Sequence, residues 1–330
     1  MSVADIDATK IERRSLLSGP KNMIIGTLFG LTPVTAILIL GWFMRDMRRV
    51  ALGQSASHPD TPPRWIFGEA DAKGLARLLG GLAANIRAGL MTFVALALAT
   101  LPFAGLWIAS WWAGWDNSFN KGYEQAFVGP ASGMIGVAIF MVAMVYVPMA
   151  QAHLAAEDRL SAFFEFSRVR SALRHSGWRY VWWTAGILFF ALPVFAARGL
   201  PTFVEGLVPG FSDFTASQVD DLKFGISASM SLYVFATLLI FRRRQARIYA
   251  RAVGRALAGA DAKLWASSQA AAHIRPGPKY RPWRAMALLR FALLLAFWWG
   301  LAALIFIGQF LNHEWVIWLS HPLVFLPWMP

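Results

Sequence analysis

Hydrophobic residues are gathered into six long blocks along this chain, and most of the charged residues lie between the blocks. The blocks cover about residues 23–43, 89–112, 127–150, 180–197, 224–241 and 286–311, and none of them contains Asp or Glu. Most approach or exceed the ~20 residues that an α-helix needs to cross the ~30 Å hydrocarbon core of a bilayer. The pattern therefore predicts an all-α integral membrane helical bundle. A polar N-terminal segment (1–22) precedes one transmembrane domain (23–311), and a tail (312–330) follows it.

The first block allows two placements in the bilayer. As a complete span it gives six transmembrane helices and moves the N-terminus, with its basic residues, to the side opposite the basic loops. If Pro33 turns the block back as a re-entrant hairpin, five helices cross and the N-terminus stays with the basic loops. Each odd-numbered block leads through a basic loop into an even-numbered block, and this weak rhythm favours the full span. The sequence leaves both placements open.

Basic residues are distributed unequally between the connections. The chain carries 31 Lys and Arg against 18 Asp and Glu, which gives a net charge of +13. Three connections, 44–88, 151–179 and 242–284, hold seven, five and eleven of the basic residues, whereas 113–126 holds one. Loops rich in Lys and Arg stay in the cytoplasm, so these three are predicted to be cytoplasmic loops of a prokaryotic inner-membrane protein. The same rule accounts for the net charge, and nucleic acid is not predicted as a partner.

The spacing of residues in 242–259 predicts an amphipathic helix with a basic and an apolar face. The basic face consists of Arg244, Arg247, Arg251 and Arg255, and the apolar face of Ala246, Tyr249, Ala250, Val253 and Leu257. The segment 152–177 has a similar pattern. We expect such cytoplasmic helices to lie on the membrane with their arginines towards lipid phosphates. We expect Arg45, Arg48 and Arg49 to form a second patch that contacts anionic lipid or an acidic protein partner.

Tryptophans mark the C-terminal tail at Trp315, Trp318 and Trp328. Indole rings prefer the membrane–water interface, where the ring is half buried and its N–H is hydrated. The tail is too short and too interrupted by proline for a seventh span, so it is predicted to be interfacial.

No motif in the sequence predicts a catalytic site, a metal site or a bound cofactor. The chain has no cysteine, which excludes disulfides and thiolate chemistry, and it lacks phosphate-loop, nucleophile-elbow and dinucleotide motifs. His153 and Glu157 share a helix face, but two ligands do not make a metal site, and the pair is predicted to lie at the surface near lipid headgroups. Arg290 is the one charge inside a block, and it either snorkels to the surface or serves as a charge on an intramembrane pathway.

Several motifs before residue 200 resemble a known family. GWFMRDMRRVALGQ (41–54) is followed by PPRW (62–65), then by VPMAQAHLAAEDRLSAFFEFSRV (147–169) and YVWW (180–183). This series resembles the prokaryotic domain-of-unknown-function family numbered four thousand and thirteen, over about residues 20–200. An Arg precedes the tryptophan of PPRW where the family pattern has an acidic or small residue. The resemblance implies a multi-spanning inner-membrane protein, and because the family has no established activity it assigns no functional residue.

These features favour a non-enzymatic role, as a membrane scaffold or accessory subunit whose basic cytoplasmic face contacts anionic lipid or an acidic partner. A second hypothesis is a transporter or channel for a lipid or a small apolar solute. Small polar residues in the blocks would line its path, namely Thr32, Thr35, Ser227, Ser229 and Ser231. A third hypothesis, a membrane-embedded transferase, requires carboxylates or histidines that converge at one membrane depth, and the sequence shows no such set.

Overall fold

A computed structural model describes residues 19–53, 66–67, 74–120, 127–280, 283–312, 321 and 323–328. Within these ranges every regular element is a helix and none is a strand, which confirms the all-α fold class. Three features of the sequence lie outside the described residues: the segment before residue 19, the PPRW motif at 62–65, and the tail tryptophans Trp315 and Trp318.

Ten α-helices follow one another through the described ranges. They are α1 (19–29), α2 (Pro33–Ala51), α3 (Gly74–Asn120), α4 (Val128–Glu157), α5 (Phe166–Ser176), α6 (Trp178–Leu207), α7 (Ala216–Leu257), α8 (Ala262–Trp265), α9 (Gln269–His273) and α10 (Arg284–Asn312). Short 3-10 turns occur at Leu160–Phe164 and Phe211–Asp213.

Five of the described helices are long and apolar enough to cross a membrane. The qualifying stretches are Gly74–Ser110, Val128–Glu157, Trp178–Arg198, Ala216–Leu257 and Arg284–Ile305. Each overlaps one of the five predicted blocks that follow the first. The helices therefore indicate a multi-pass membrane protein with five candidate spans, and the first block does not supply a sixth.

The first block is broken into two helices between Gly30 and Thr32. Thr32 caps α2, because its side chain accepts a hydrogen bond from the backbone N–H of Thr35, and Pro33 occupies the first helical turn, where its missing N–H costs nothing. At 1.5 Å per residue α1 is about 16 Å long. The part of α2 before its first arginine is only about 18 Å long. Neither matches a hydrocarbon core of about 30 Å.

Helices α1 and α2 form an antiparallel hairpin against α7. Phe235 of α7 lies beside Gly26 of α1 and also stacks on Trp42 of α2, with 5.6 Å between ring centroids. The turn of the hairpin lies further towards the start of α7, where the Ser231 hydroxyl donates to the Thr27 carbonyl oxygen (2.7 Å). Both open ends of the hairpin therefore lie at the same end of the bundle, and the turn lies alongside the middle of α7.

Glycine allows α2 and α3 to pack with their backbones in contact. A Cβ atom added at Gly41 would overlap the backbone of Asn85, and one added at Gly89 would overlap the carbonyl oxygen of Ile37. Close approach of this kind is common where membrane helices pack through small residues. The contact at Gly41 and Gly89 brings the last turns of α2 beside the first part of α3.

The three basic connections meet at one end of the bundle, which we call the basic end. Arg48 of α2 and Arg87 of α3 both bind Asp158, which follows α4. Arg243 of α7 binds Asp46 of α2. Connections that are distant in sequence therefore lie on one side of the bundle, and the placement of that side in the cytoplasm stays a prediction.

The segment 152–177 is not the single amphipathic helix that its pattern suggests. Helix α4 continues to Glu157 and ends at Asp158, which has a left-handed φ of 53°. A 3-10 turn and α5 follow, and α5 packs against α7. The apolar face of α7 is likewise covered, because Tyr249 and Val253 are fully buried. Protein neighbours, and not the lipid surface, cover these apolar faces.

The described part of the tail packs against the helices of the bundle, and its interfacial position stays a prediction. Residues 323–326 are at most 8% exposed. Phe325 packs on Phe93 of α3, with 5.2 Å between ring centroids, and Pro327 lies beside Gly30 at the turn of the hairpin. The tail therefore packs against the turn of the hairpin.

Candidate functional site

Four carboxylates at the basic end, two of them buried and two half-buried, form a polar layer that joins α2, α4, α5, α7 and α9. They are Asp46, Glu157, Asp158 and Glu165. Buried charges are costly unless they are paired and hydrogen-bonded. Each carboxylate meets this condition through a group on another element, so the layer is a network of contacts between segments that are far apart in the chain.

Asp46 joins the hairpin to α7. Its side chain is 3% exposed, and its Oδ2 atom accepts a hydrogen bond from Nε of Arg243 (2.6 Å). Arg49, one turn along α2, binds the other carboxylate oxygen. Burial by itself raises the pKa of Asp46, but the hydrogen bond from Arg243 and the charges of Arg49 and Arg243 outweigh it and hold the pKa below its usual value. Asp46 is therefore a fixed anion between two cations.

Asp158 and Glu157 join the end of α4 to three other elements. Asp158 Oδ2 accepts from Nη1 of Arg48 (2.8 Å) and lies 3.1 Å from Nη2 of Arg87. Glu157 is buried and accepts hydrogen bonds from the backbone N–H groups of Gln269 (3.2 Å) and Ala270 (3.1 Å). These are the first N–H groups of α9, which have no partner inside the helix. Glu157 therefore fixes the start of α9 on the end of α4.

His153 and Glu165 join α4 to the turn before α5 in the polar layer. The His153 ring is fully buried, with Nδ1 2.7 Å from the Tyr249 hydroxyl and Nε2 2.8 Å from Glu165 Oε2. Arg168 Nη1 donates to Glu165 (2.7 Å), and Arg159 binds the second oxygen. Burial by itself raises the pKa of Glu165, but hydrogen bonds from His153, Arg159 and Arg168 outweigh it and lower the pKa to about 2.

This arrangement corrects the prediction that His153 and Glu157 form a surface pair near lipid headgroups. Both side chains are buried, and they bind different partners. The physical reason is that α4 is longer than the predicted span, so this part of the sequence is covered by α7 and α9. Among the described residues no group of three or more His, Asp or Glu is arranged to hold a metal ion.

The predicted basic face of α7 is present in the structure. Arg244, Arg247 and Arg251 are exposed, and none of them forms a salt bridge within the described part of the chain. Arg255 is half-buried, where its Nη1 atom donates to the His175 carbonyl oxygen (2.9 Å). We call the three exposed residues the arginine face.

The second predicted patch, on α2, is engaged in protein contacts. Arg45 donates to Oδ1 of Asn85 (3.0 Å). Arg48 binds Asp158, as described above, and also donates to Gln269 Oε1 (3.1 Å). Arg49 binds Asp46. These contacts occupy donors that lipid phosphates would need, so this patch is not part of the arginine face.

Arg290 and Arg242 are the buried arginines of α10 and α7. Arg290 is 7% exposed and donates from Nη1 to the Tyr280 hydroxyl (2.9 Å). The structure therefore places it under the 274–280 segment and not at the surface. Arg242 lies one residue beyond the predicted fifth block, where it donates to Gln151 of α4. Each arginine is held by an uncharged polar partner.

The residues predicted to line a transport path do not lie along one common path. The hydroxyls of Thr32 and Thr35 bind each other (2.6 Å) at the hairpin turn, and Ser231 binds the same turn. Ser229 lines an open groove of about 640 Å³ between α6 and α7, whose walls are mainly apolar. A cavity among α4, α6, α7, α10 and the tail has a volume of only about 20 Å³, which is the space of about one water molecule.

Comparison with known proteins connects this architecture to a family. The family described as a protein of unknown function, DUF4013, matches residues 24–201, which is more than half of the chain. The chain belongs to the DUF4013 family. No curated protein and no solved structure matches it. The DUF4013 match runs from the hairpin into α6 and includes Asp46, Glu157 and Glu165, but it ends before α7 and the arginine face. The resemblance carried by the 41–54 and 147–169 motifs is thereby confirmed.

Sequence reasoning did not find the polar layer of this DUF4013 protein. Asp46 stands among Arg45, Arg48 and Arg49, and an acidic residue inside a basic cluster at a helix end is a signal for an internal pair. Its second partner is Arg243, 197 positions later. A separation of that size leaves no local pattern, so only the folded chain identifies the pair.

Proposed function

We propose that this protein is a non-enzymatic membrane scaffold or accessory subunit whose basic end binds anionic lipid headgroups through the arginine face. The supporting observation is the segregation of the arginines. Arg48, Arg49 and Arg243, which face the interior, bind carboxylates. Those of the arginine face have no acidic partner among the described residues and remain available to an external anion.

The energetics favour a lipid surface as that anion. A basic side chain near an anionic leaflet contributes about 1 kcal/mol, so the three side chains of the arginine face together contribute about 3 kcal/mol. The positive-inside rule puts this end in the cytoplasm. Tyr249 and Val253 anchor the opposite face of α7 in the protein, which fixes the orientation of the arginines. An acidic protein partner would use the same face.

Retention of lipid by the full-length protein in detergent tests the proposal. Native mass spectrometry would compare bound phosphatidylglycerol with bound phosphatidylcholine for the wild type and for the double variant Arg244→Gln, Arg247→Gln. Removing two charges should lower the affinity for phosphatidylglycerol about 30-fold and leave phosphatidylcholine unchanged. Lys223→Gln is the matched control, because Lys223 is 72% exposed at the opposite end of α7. Unchanged phosphatidylglycerol binding in the double variant would contradict the proposal.

The transport hypothesis has less support from the packing. The narrow cavity between the helices is too small for a solute, and the hydroxyls at the hairpin turn are used in internal hydrogen bonds. A scaffold needs neither feature. We therefore place the function at the basic end of the bundle.

A further inference from the structure

Four arginines converge on one cavity at the basic end. The cavity has a volume of about 430 Å³, and its lining includes Arg179, Arg251, Arg255 and Arg275 and no acidic residue. We call it the arginine pocket. Arg179 lies at the start of α6, Arg251 and Arg255 lie on α7, and Arg275 lies on the segment after α9. Three separate elements therefore supply cations to one space.

Glycine brings the segment after α9 onto α7. The backbone N–H of Gly277 donates to the Gly254 carbonyl oxygen (2.7 Å), and a Cβ atom at Gly254 would lie 2.9 Å from the carbonyl oxygen of Arg275. Two glycines thus allow the segment to cross α7 in backbone contact, which carries Arg275 to the pocket. Gly177, with φ 70°, makes the turn that places Arg179 on the other side.

The charges of the arginine pocket are not neutralised within the described chain. Arg255 is positioned by the His175 carbonyl oxygen and by the Tyr280 ring, whose centroid is 4.7 Å from its guanidinium carbon. Arg179, Arg251 and Arg275 form no salt bridge there. Like charges around one space repel each other, and an anion in that space relieves the repulsion. The polar layer, by contrast, supplies a carboxylate to each of its inward arginines.

We propose that the arginine pocket binds a phosphate monoester, with the phosphate held by Arg179, Arg251, Arg255 and Arg275. Guanidinium groups suit this ligand because their planar donors bind phosphate oxygens in pairs. The volume falls in the usual range of ligand sites, about 300–1,000 Å³, and leaves room for a small group attached to the phosphate. Candidate spans begin at Trp178 and Arg284, so both a lipid headgroup and a soluble phosphate ester can reach the pocket. This proposal depends on the proposed function in one respect, which is that both place anion binding at the basic end.

The variant Arg179→Gln, Arg275→Gln tests the pocket without touching the arginine face. Full-length protein in detergent would be titrated with glycerol 3-phosphate, and protein in neutral nanodiscs with phosphatidic acid. Loss of two cations should weaken the binding of at least one probe about 30-fold. The control Arg244→Gln, Arg247→Gln should change the binding of glycerol 3-phosphate less than about threefold, since those residues are not part of the lining. Loss for phosphatidic acid alone identifies a lipid headgroup, and loss for glycerol 3-phosphate alone identifies a soluble ester.

A second measurement does not depend on the variants folding. Phenylglyoxal modifies exposed arginines, and glycerol 3-phosphate or phosphatidic acid should protect Arg179 and Arg275 of the wild-type protein. Glycerol 3-phosphate should leave Arg244 reactive. The proposal is overturned if neither probe binds the wild type, if the pocket variant binds both probes as the wild type does, or if neither probe protects Arg179 and Arg275. The phosphatidylglycerol experiment with the arginine face is independent of these outcomes, so either proposal can fail alone.

Discussion

Arginines on the inward and outward sides of α7 at the basic end have different partners. Arg243 turns inward and binds Asp46, whereas its neighbour Arg244 is exposed and has no salt bridge in the described chain. One position along the helix therefore separates a structural cation from one available to an external anion. The comparison teaches that the number of arginines in a basic loop says little about lipid binding until their partners are known.

The largest loss of folding stability is expected from a substitution at Asp46 in the polar layer. In Asp46→Asn the charges of Arg49 and Arg243 lose their counter-ion while partly buried, and removing one partner of a buried pair costs about 3–5 kcal/mol. Thermal or denaturant unfolding in detergent measures the loss. Asp220→Asn is the control, because Asp220 is 77% exposed and pairs with Lys223 at the surface, where a pair contributes about 0–1 kcal/mol. Equal, small effects of the two substitutions would refute the structural role of Asp46.

A second loss of stability is expected where α2 packs closely on α3. Gly41→Ala introduces a methyl group into the backbone of Asn85, and overpacking of this kind costs about 1–3 kcal/mol. The displacement of α2 from α3 should also weaken the contact between Arg45 and Asn85. Gly105→Ala on α3 is the matched control, because a Cβ atom there meets nothing within 4 Å. If both variants unfold like the wild type, the close approach of α2 and α3 is wrong.

The pH dependence of stability tests the polar layer through Glu165. Its pKa falls from 4.5 to about 2 on folding, so its carboxylate contributes stability above about pH 4.5 and loses that contribution as the pH falls towards 2. Glu165→Gln should be less stable than the wild type at neutral pH, and the difference in melting temperature should narrow below pH 4.5. A difference that is constant with pH would contradict the ionised state of Glu165.

The smallest effect on folding is expected from the arginine face itself. Arg244→Gln, Arg247→Gln removes two exposed cations that contact no carboxylate, and such surface substitutions change stability by no more than about 0.5 kcal/mol. The same unfolding assay used for Asp46 applies. A loss above about 2 kcal/mol would show that these arginines have an internal partner, and the contrast between the two sides of α7 would disappear.

The orientation of the protein in the membrane can be tested with single introduced cysteines, because the natural chain has no cysteine. Each introduced cysteine then reports the side of the membrane on which it lies. We expect Ser212→Cys, near the end opposite the basic end, to react with an impermeant thiol reagent in intact cells. Ala260→Cys at the basic end should react only after permeabilisation. The reverse result would place the arginine face outside the cytoplasm.

The sequence supported the fold more than the site, for a physical reason. Hydrophobic blocks are local and set by bilayer thickness, so the all-α class and the family followed from them and from the 41–54 and 147–169 motifs. Pro33 was also a local signal for the hairpin, since Thr32 and Pro33 are a typical start of a helix, but the continuous apolar block left a full span open as well. The polar layer depends on pairs that are distant in sequence, such as Asp46 with Arg243, and helical periodicity alone does not identify them.

The most direct test compares two neighbours on α7. Native mass spectrometry would measure the affinity of the full-length protein for phosphatidylglycerol in the single variants Arg243→Gln and Arg244→Gln. The account predicts about a fivefold loss for Arg244→Gln, from one near-surface charge, and no loss for Arg243→Gln in the fraction that remains folded. Equal losses, or a loss confined to Arg243→Gln, would contradict the account.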